Sequence, residues 1–178
     1  MFDELTHSYF CGDKMLIGVT SLMAKHGLAA NYSSVPSGVL SRAAAKGTAI
    51  HELLEHYDNG EAVVEDENLK AYKKLKLKVL CSEYLVSDND VVATFIDKVL
   101  DDCSLADVKT TSEVHTSALE WQLSICAYLF ERQNPGIKVP ALYCIHVRNK
   151  KAKLIPINRI PDEEVKRLID CEKKGEEF

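Results

Sequence analysis

Asp107 and Lys109, with Asp97 ten residues upstream, are the residues whose types and spacing suit chemistry. Two carboxylates and an ammonium meeting on one sheet face hold a divalent metal beside a phosphate, the arrangement that metal-assisted phosphodiester cleavage needs. The segments Val91 to Leu100 and Ser104 to Thr110 flank a polar turn, Asp101-Asp102-Cys103, and read as an antiparallel hairpin. Asp97 and Asp107 are then expected roughly opposite each other. Alternation along the second strand turns Lys109 the same way as Asp107 and sends Val108 into the core. Acid-x-Lys also occurs at Glu164 to Lys166 and Glu172 to Lys174. Both of those fall in Pro161 to Gly175, which has acids in its first turn, lysines in its last and a closing glycine, and reads as a solvated surface helix.

Other elements must position this group. Gly47-Thr48-Ala49-Ile50-His51 lies in a helical stretch, Pro36 to Tyr57, with apolar residues Val39, Ala43, Ile50 and Leu54 at helical spacing. Glycine inside a helix costs about 1 kcal/mol relative to alanine, which is understandable if the helix presses on the sheet and delivers His51, one turn on, to the metal. A lone helical histidine is more often structural, but its place ahead of the two acids favours a ligand. His7, His26, His56, His115 and His146 read as structural. Glu55, one turn beyond His51, either orients the imidazole or is solvated. Glu83 is either a strand-edge charge or an acid beside the site. Downstream, an amphipathic helix from about Val114 to Arg132 carries Trp121, read as core or a wall of the site, and Gln122.

In order and spacing, Gly47-x-x-x-His51, Ser82-Glu83-Tyr84, Ala93-Thr94-Phe95-Ile96-Asp97, Asp107-Val108-Lys109-Thr110-Thr111 and Trp121 to Glu131 resemble the PD-(D/E)XK nuclease superfamily, and within it the phage-type and RecB-like exonucleases. The resemblance covers most of the chain. It implies an α/β fold with a restriction-endonuclease-like core, a central mixed β-sheet flanked by helices. Asp97 and Asp107 are similar to the metal-binding carboxylates, with the carbonyl of Val108 and the imidazole of His51 as further ligands, and Glu83 resembles an acid beside the metal or the substrate phosphate. Lys109 looks like the catalytic lysine that orients or deprotonates the attacking water, and Gln122 like the start of a Gln-x-x-x-Tyr motif that supports the site and approaches DNA. Two residues depart from the pattern. Cys126 stands where the tyrosine belongs, with Tyr128 about 200° round the helix from it, and Thr94 replaces a glycine three residues before the first acid. The activity implied is a divalent-metal-dependent DNA exonuclease used in recombination or replication. The alternatives are a structure-specific endonuclease and a DNA-binding or assembly module without turnover. Relatives often form rings (homo-oligomers) or work with a single-strand annealing recombination protein.

Hard oxygen ligands with one imidazole suit Mg²⁺, with Mn²⁺ as a substitute, better than zinc. The 178 residues, 46% of them apolar, suffice for a single domain over 1–178. Beyond the elements above, helices are expected near Thr20 to Ala29 and Asn68 to Leu80, and strands near Glu83 to Ser87, Ala141 to Arg148 and Lys153 to Arg159. No run is long or apolar enough to span a bilayer and no signal peptide is evident, so a cytoplasmic protein without membrane contact is expected. Six cysteines without a Cys-x-x-Cys read as reduced thiols rather than ligands of a zinc knuckle or an iron-sulfur cluster. A net charge of −5 is unlike that of a tight nonspecific DNA binder. Lys70, Lys73, Lys74 and Lys78 fall along one side of the expected 68–80 helix and would track a phosphate backbone; a solvated lysine face accounts for them nearly as well.

Overall fold

The computed structural model describes residues 1–3 and 8–178, so His7 lies outside the described residues. Among these, eight strands form one mixed sheet: β1 (Phe2–Asp3), β2 (Ser8–Cys11), β3 (Lys14–Gly18), β4 (Val79–Ser87), β5 (Val92–Leu100), β6 (Leu105–Lys109), β7 (Leu142–Arg148) and β8 (Lys151–Ile157). The helices are α1 (Val19–Lys25), α2 (Ser37–Asp58), α3 (Glu67–Lys73), α4 (Thr116–Gln133) and α5 (Asp162–Lys174). The chain is therefore α/β, with a mixed central sheet and helices on both faces. No helix of the described residues is long and apolar enough to cross a membrane.

One face of the sheet packs on α1, α4 and α5 through Leu22, Leu123, Phe130 and Leu168 against Val99, Leu105, Leu142 and Cys144. The other packs on α2 and α3, where Ile50, Leu54, Leu69 and Tyr72 meet Ala106, Val108, Ile145 and Val147. Each fully buried leucine in these layers contributes about 1.5–3 kcal/mol. β6 and β7 are parallel neighbours joined through α4, and β5–β6 and β7–β8 are antiparallel.

The sheet forks at β5. β4 runs along one edge of β5 from Ala93 to Leu100. The other edge is shared: β3 takes Val92 and Ala93, β6 takes Lys98 and Val99, and no strand of the described residues pairs with 94–97 between them. That opening lies beside Asp97.

Three expectations need correction. β1, β2 and β3 are absent from the sequence reading, because strands of two to five residues carry too few alternations to stand out. The expected 68–80 helix stops at Lys73; Lys76 is left-handed, with φ 53°, and Val79 already belongs to β4. In α2 only Ile50 and Leu54 are buried, and Val39 and Ala43 are exposed, so the apolar spacing marks a core face over the C-terminal half alone.

Candidate metal centre

Asp97 stands one step beyond the last β5–β6 pair, Lys98 with Ala106, and so is opposed to Asp107 where the two strands diverge. Its Oδ2 accepts the N–H of Val108 at 2.8 Å, across the gap. Val108 buries its side chain against the α2 layer, and here its N–H touches the acids.

On the other side of β5, Glu83 falls between the Ser82–Lys98 and Tyr84–Ile96 pairs and is thus opposite Asp97. Regular alternation fails at this point in both strands. Cys81 and Tyr84 both reach the α4-side core, as do Ile96 and Val99, although residues three apart on an ideal strand face opposite ways. Glu83 supplies the turn: its φ is 49°, a left-handed backbone that costs a non-glycine residue about 1–3 kcal/mol and re-aims its carboxylate.

His51 arrives from the α2 layer. A Cβ on Gly47 would lie 3.2 Å from Oγ1 of Thr110, so the glycine does let α2 press on the end of β6. His51 Nδ1 stands 3.4 Å from Asp97 Oδ2, and one ligand atom each from His51, Glu83 and Asp97 lie within 4.8 Å of one another. Glu55 acts on Glu83 through its charge and is not the ion-pair partner of His51.

Asp107 is not in that trio. It is 3% exposed. Gln122 Nε2 donates to its Oδ1 at 2.7 Å, and the ammonium of Lys109 forms an ion pair with its Oδ2 at 2.7 Å. Lys109 also donates to Gln122 Oε1 at 3.4 Å, so Gln122 bridges the acid and the lysine. Expected ligands His51 and Asp97 are thus gathered with Glu83, whereas Asp107 pairs with Lys109 beside them.

Charge accumulates here. Desolvation, then the charges of Asp97 and Glu55, push the carboxyl of Glu83 up to about 7, although the residue is exposed at its surface. Burial raises Asp107 against the pull of Lys109, with Asp97 adding to the rise. Burial opposes the charge on Lys109, but Asp107 and Asp97 outweigh it and hold its proton more firmly than usual. Lys109 is therefore a donor and a fixed positive charge, and the orienting role fits it better than proton abstraction. Clustered acids that resist ionisation, with a histidine beside them, fit a hard divalent cation.

A second buried group lies behind the centre. Lys98 Nζ stands 2.7 Å from Asp58 Oδ2 and donates to Ser82 Oγ at 2.8 Å, and Tyr72 donates its hydroxyl to Asp58 Oδ2 at 2.8 Å. The Lys98 and Asp58 side chains are only 3% and 6% exposed. The pair ties the C-terminal end of α2 to the sheet next to Asp97 and so fixes the helix that carries His51. Nothing in the sequence signals it, because a strand lysine beside an acid reads as a surface charge.

The remaining predicted residues divide. Cys126 is buried one turn after Gln122, and burial pushes its thiol up. Tyr128 lies under Arg132, 5.3 Å from the guanidinium carbon to the ring centre, and borders α5, so it does not replace a tyrosine at 126. Trp121 packs edge-on against Phe178 as part of the core. The lysine face is shorter than expected: Lys70 pairs with Glu67 and Lys73 with Glu65, while Lys74 and Lys78 lie beyond the end of α3. Early termination of the helix takes Lys78 out of the stripe, and local acids pair with Lys70 and Lys73.

No family model matches the chain, and no curated protein does. Among solved structures, the crystal structure of SSO0001 is similar in fold: it is 14% identical, and the likeness covers 88% of this chain and 74% of that one with a TM-score of 0.52. At that identity the likeness speaks to the fold alone.

Proposed function

We propose that this chain is a divalent-metal-dependent deoxyribonuclease with a restriction-endonuclease-like core of the PD-(D/E)XK kind, acting as an exonuclease of the phage and RecB-like type. The observation that carries the reading is the convergence of His51, Glu83 and Asp97 within 4.8 Å, beside an Asp107–Lys109 pair bridged by Gln122. His51, Glu83 and Asp97 would hold Mg²⁺ or Mn²⁺, with Asp107 and the carbonyl of Val108 next to them. A cation held there supplies Lewis acidity to a phosphate oxygen and offsets the negative charge of the transition state.

The protein's own groups do the rest. Lys109, kept protonated by its two acids, donates to the attacking water and to the phosphoryl oxygen on which negative charge develops. Gln122 fixes the Lys109 ammonium from α4 while it holds Asp107. The opening at 94–97 lets a strand of DNA reach the acids along the edge of β5.

The test is digestion of end-labelled linear duplex DNA beside covalently closed circular DNA, with Mg²⁺, Mn²⁺ or EDTA, comparing wild type with Asp97→Asn. Metal-dependent loss of the linear DNA alone, abolished in the variant, is expected. Cutting of the circle would turn the reading to an endonuclease, and binding without any cleavage to an inactive DNA-binding module.

A further inference from the structure

The longest acid-free stretch of the C-terminal half runs from Arg132 to Pro161 and carries seven lysines and arginines, in a chain whose net charge is −5. Four of its side chains converge. A groove of about 400 Å³ is lined by His146, Arg148, Lys151 and Lys153 with Ser112 and Asn149. The strand register dictates the grouping: His146 is paired with Lys153 and Arg148 with Lys151, so all four share one face of the β7–β8 hairpin. In the parallel β6–β7 ladder His146 is the partner of Lys109, which puts that face on the Asp107 and Lys109 side of the sheet.

The groove and the acid centre are also joined by a loop. His146 Nε2 lies 2.9 Å from the carbonyl of Thr111, and Arg148 donates to the carbonyl of Thr110 at 3.3 Å, so two residues of the groove hold the chain that leaves Lys109. Lys151 and Lys153 are exposed, and among the described residues neither they nor Arg148 has an acid partner, in contrast to Lys70 and Lys73. Two lysines at i and i+2 on a strand project side by side about 7 Å apart, a separation comparable to that of successive phosphates on one nucleic-acid strand.

We infer that the β7–β8 groove is the surface that binds the sugar-phosphate backbone of the nucleic acid presented to the acid centre. The inference rests on the nuclease reading for the identity of its partner, and it moves the DNA contact from α3 to the hairpin. Lys151 and Lys153 contact phosphates, while Arg148 and His146 hold the loop that connects the groove to Lys109.

The experiment is fluorescence anisotropy with a fluorescein-labelled DNA oligonucleotide in Ca²⁺, titrated over a series of salt concentrations, for wild type, K151E/K153E, the milder K151Q/K153Q, and K70E/K73E as the comparison. Each lost phosphate contact lowers the salt slope by about 0.7–0.9. Both hairpin variants are expected to lose a slope of about 1.4–1.8 and to weaken binding about tenfold or more at low salt, while keeping the wild-type melting temperature and Mn²⁺ affinity; K70E/K73E should bind as wild type does. Hairpin variants that bind with the wild-type slope would overturn the inference, and would leave the nuclease reading standing if they still cut. Wild type that binds through the hairpin but never cuts would keep the groove and remove the nuclease. Wild type that holds a polyglutamate peptide as tightly as the oligonucleotide would overturn the assignment to nucleic acid.

Discussion

Glu83 and Asp97 face each other across the β4–β5 ladder at a place where side-chain alternation fails in both strands. The left-handed backbone of Glu83 turns a carboxylate that would otherwise sit on a strand edge toward a second carboxylate. Unfavourable backbone and unfavourable charge coincide at these two residues, and a cation bound between the carboxylates would offset the charge.

That relationship sets a pH dependence. The Glu83 carboxyl ionises near 4.5 in the unfolded chain and near 7 in the fold. Between those values the folded state binds more protons than the unfolded one, so metal-free stability falls as pH rises from about 4.5 to about 7 and then levels. Melting temperatures in EDTA should show this fall in wild type and a shallower one in Glu83→Gln. Stabilisation by Mn²⁺ should grow over the same window, because a protonated carboxyl is no ligand. Equal slopes for wild type and variant would remove Glu83 from the account.

Lys109→Met removes the donor without removing the acids. The cleavage rate should drop about 100- to 1,000-fold while Mn²⁺ affinity, followed by calorimetry, stays near wild type. Gln122→Leu keeps the bulk and loses both polar contacts, and a loss of about tenfold is expected from one charge-assisted hydrogen bond. Unchanged cleavage in Lys109→Met would show that the lysine is only a counter-ion for Asp107.

The Lys98–Asp58 pair should behave as a buried ion pair. Lys98→Met alone leaves Asp58 charged and buried and should cost about 3–5 kcal/mol in urea denaturation. Lys98→Met with Asp58→Leu should recover most of that loss. Weaker Mn²⁺ binding in the single variant would trace the damage to His51 through α2, whereas a single variant as stable as wild type would show that the pair holds nothing.

Gly47 tests the approach of α2 to β6. Alanine in a helix interior gains about 1 kcal/mol over glycine, yet its Cβ here meets Thr110 Oγ1 at 3.2 Å. Gly47→Ala should therefore be close to neutral in thermal denaturation and stabilising once Thr110→Ala has cleared the space. Gain of the full increment with Thr110 in place would mean that the contact is soft.

The grouping was partly legible in the sequence: Asp107 with Lys109 follows the period of two of a strand, Gly47 with His51 the single turn of a helix, and Asp97 follows from the hairpin pairing of β5 with β6. Gln122 was legible only through its family resemblance, and its bridge from Asp107 to Lys109 follows from how α4 packs. Glu83 was named through the resemblance as an acid beside the site, but its left-handed backbone was hidden, since such a residue inside a strand has no signature in residue type. The boundary of α3 was misread over Leu75-Lys76-Leu77-Lys78-Val79, where residues that favour helices mask a period of two. The pairing of Lys98 with Asp58 depends on two distant segments being buried together, which no local pattern records.

The centre draws on α2, β4, β5, β6 and α4, in that order along the chain. During synthesis, His51 and the acids leave the ribosome before Gln122 does, and a copy cut before α4 has the acids but no bridge to Lys109. The candidate centre is thus complete in sequence once α4 has been made, and β7, β8 and α5 add no residue to it.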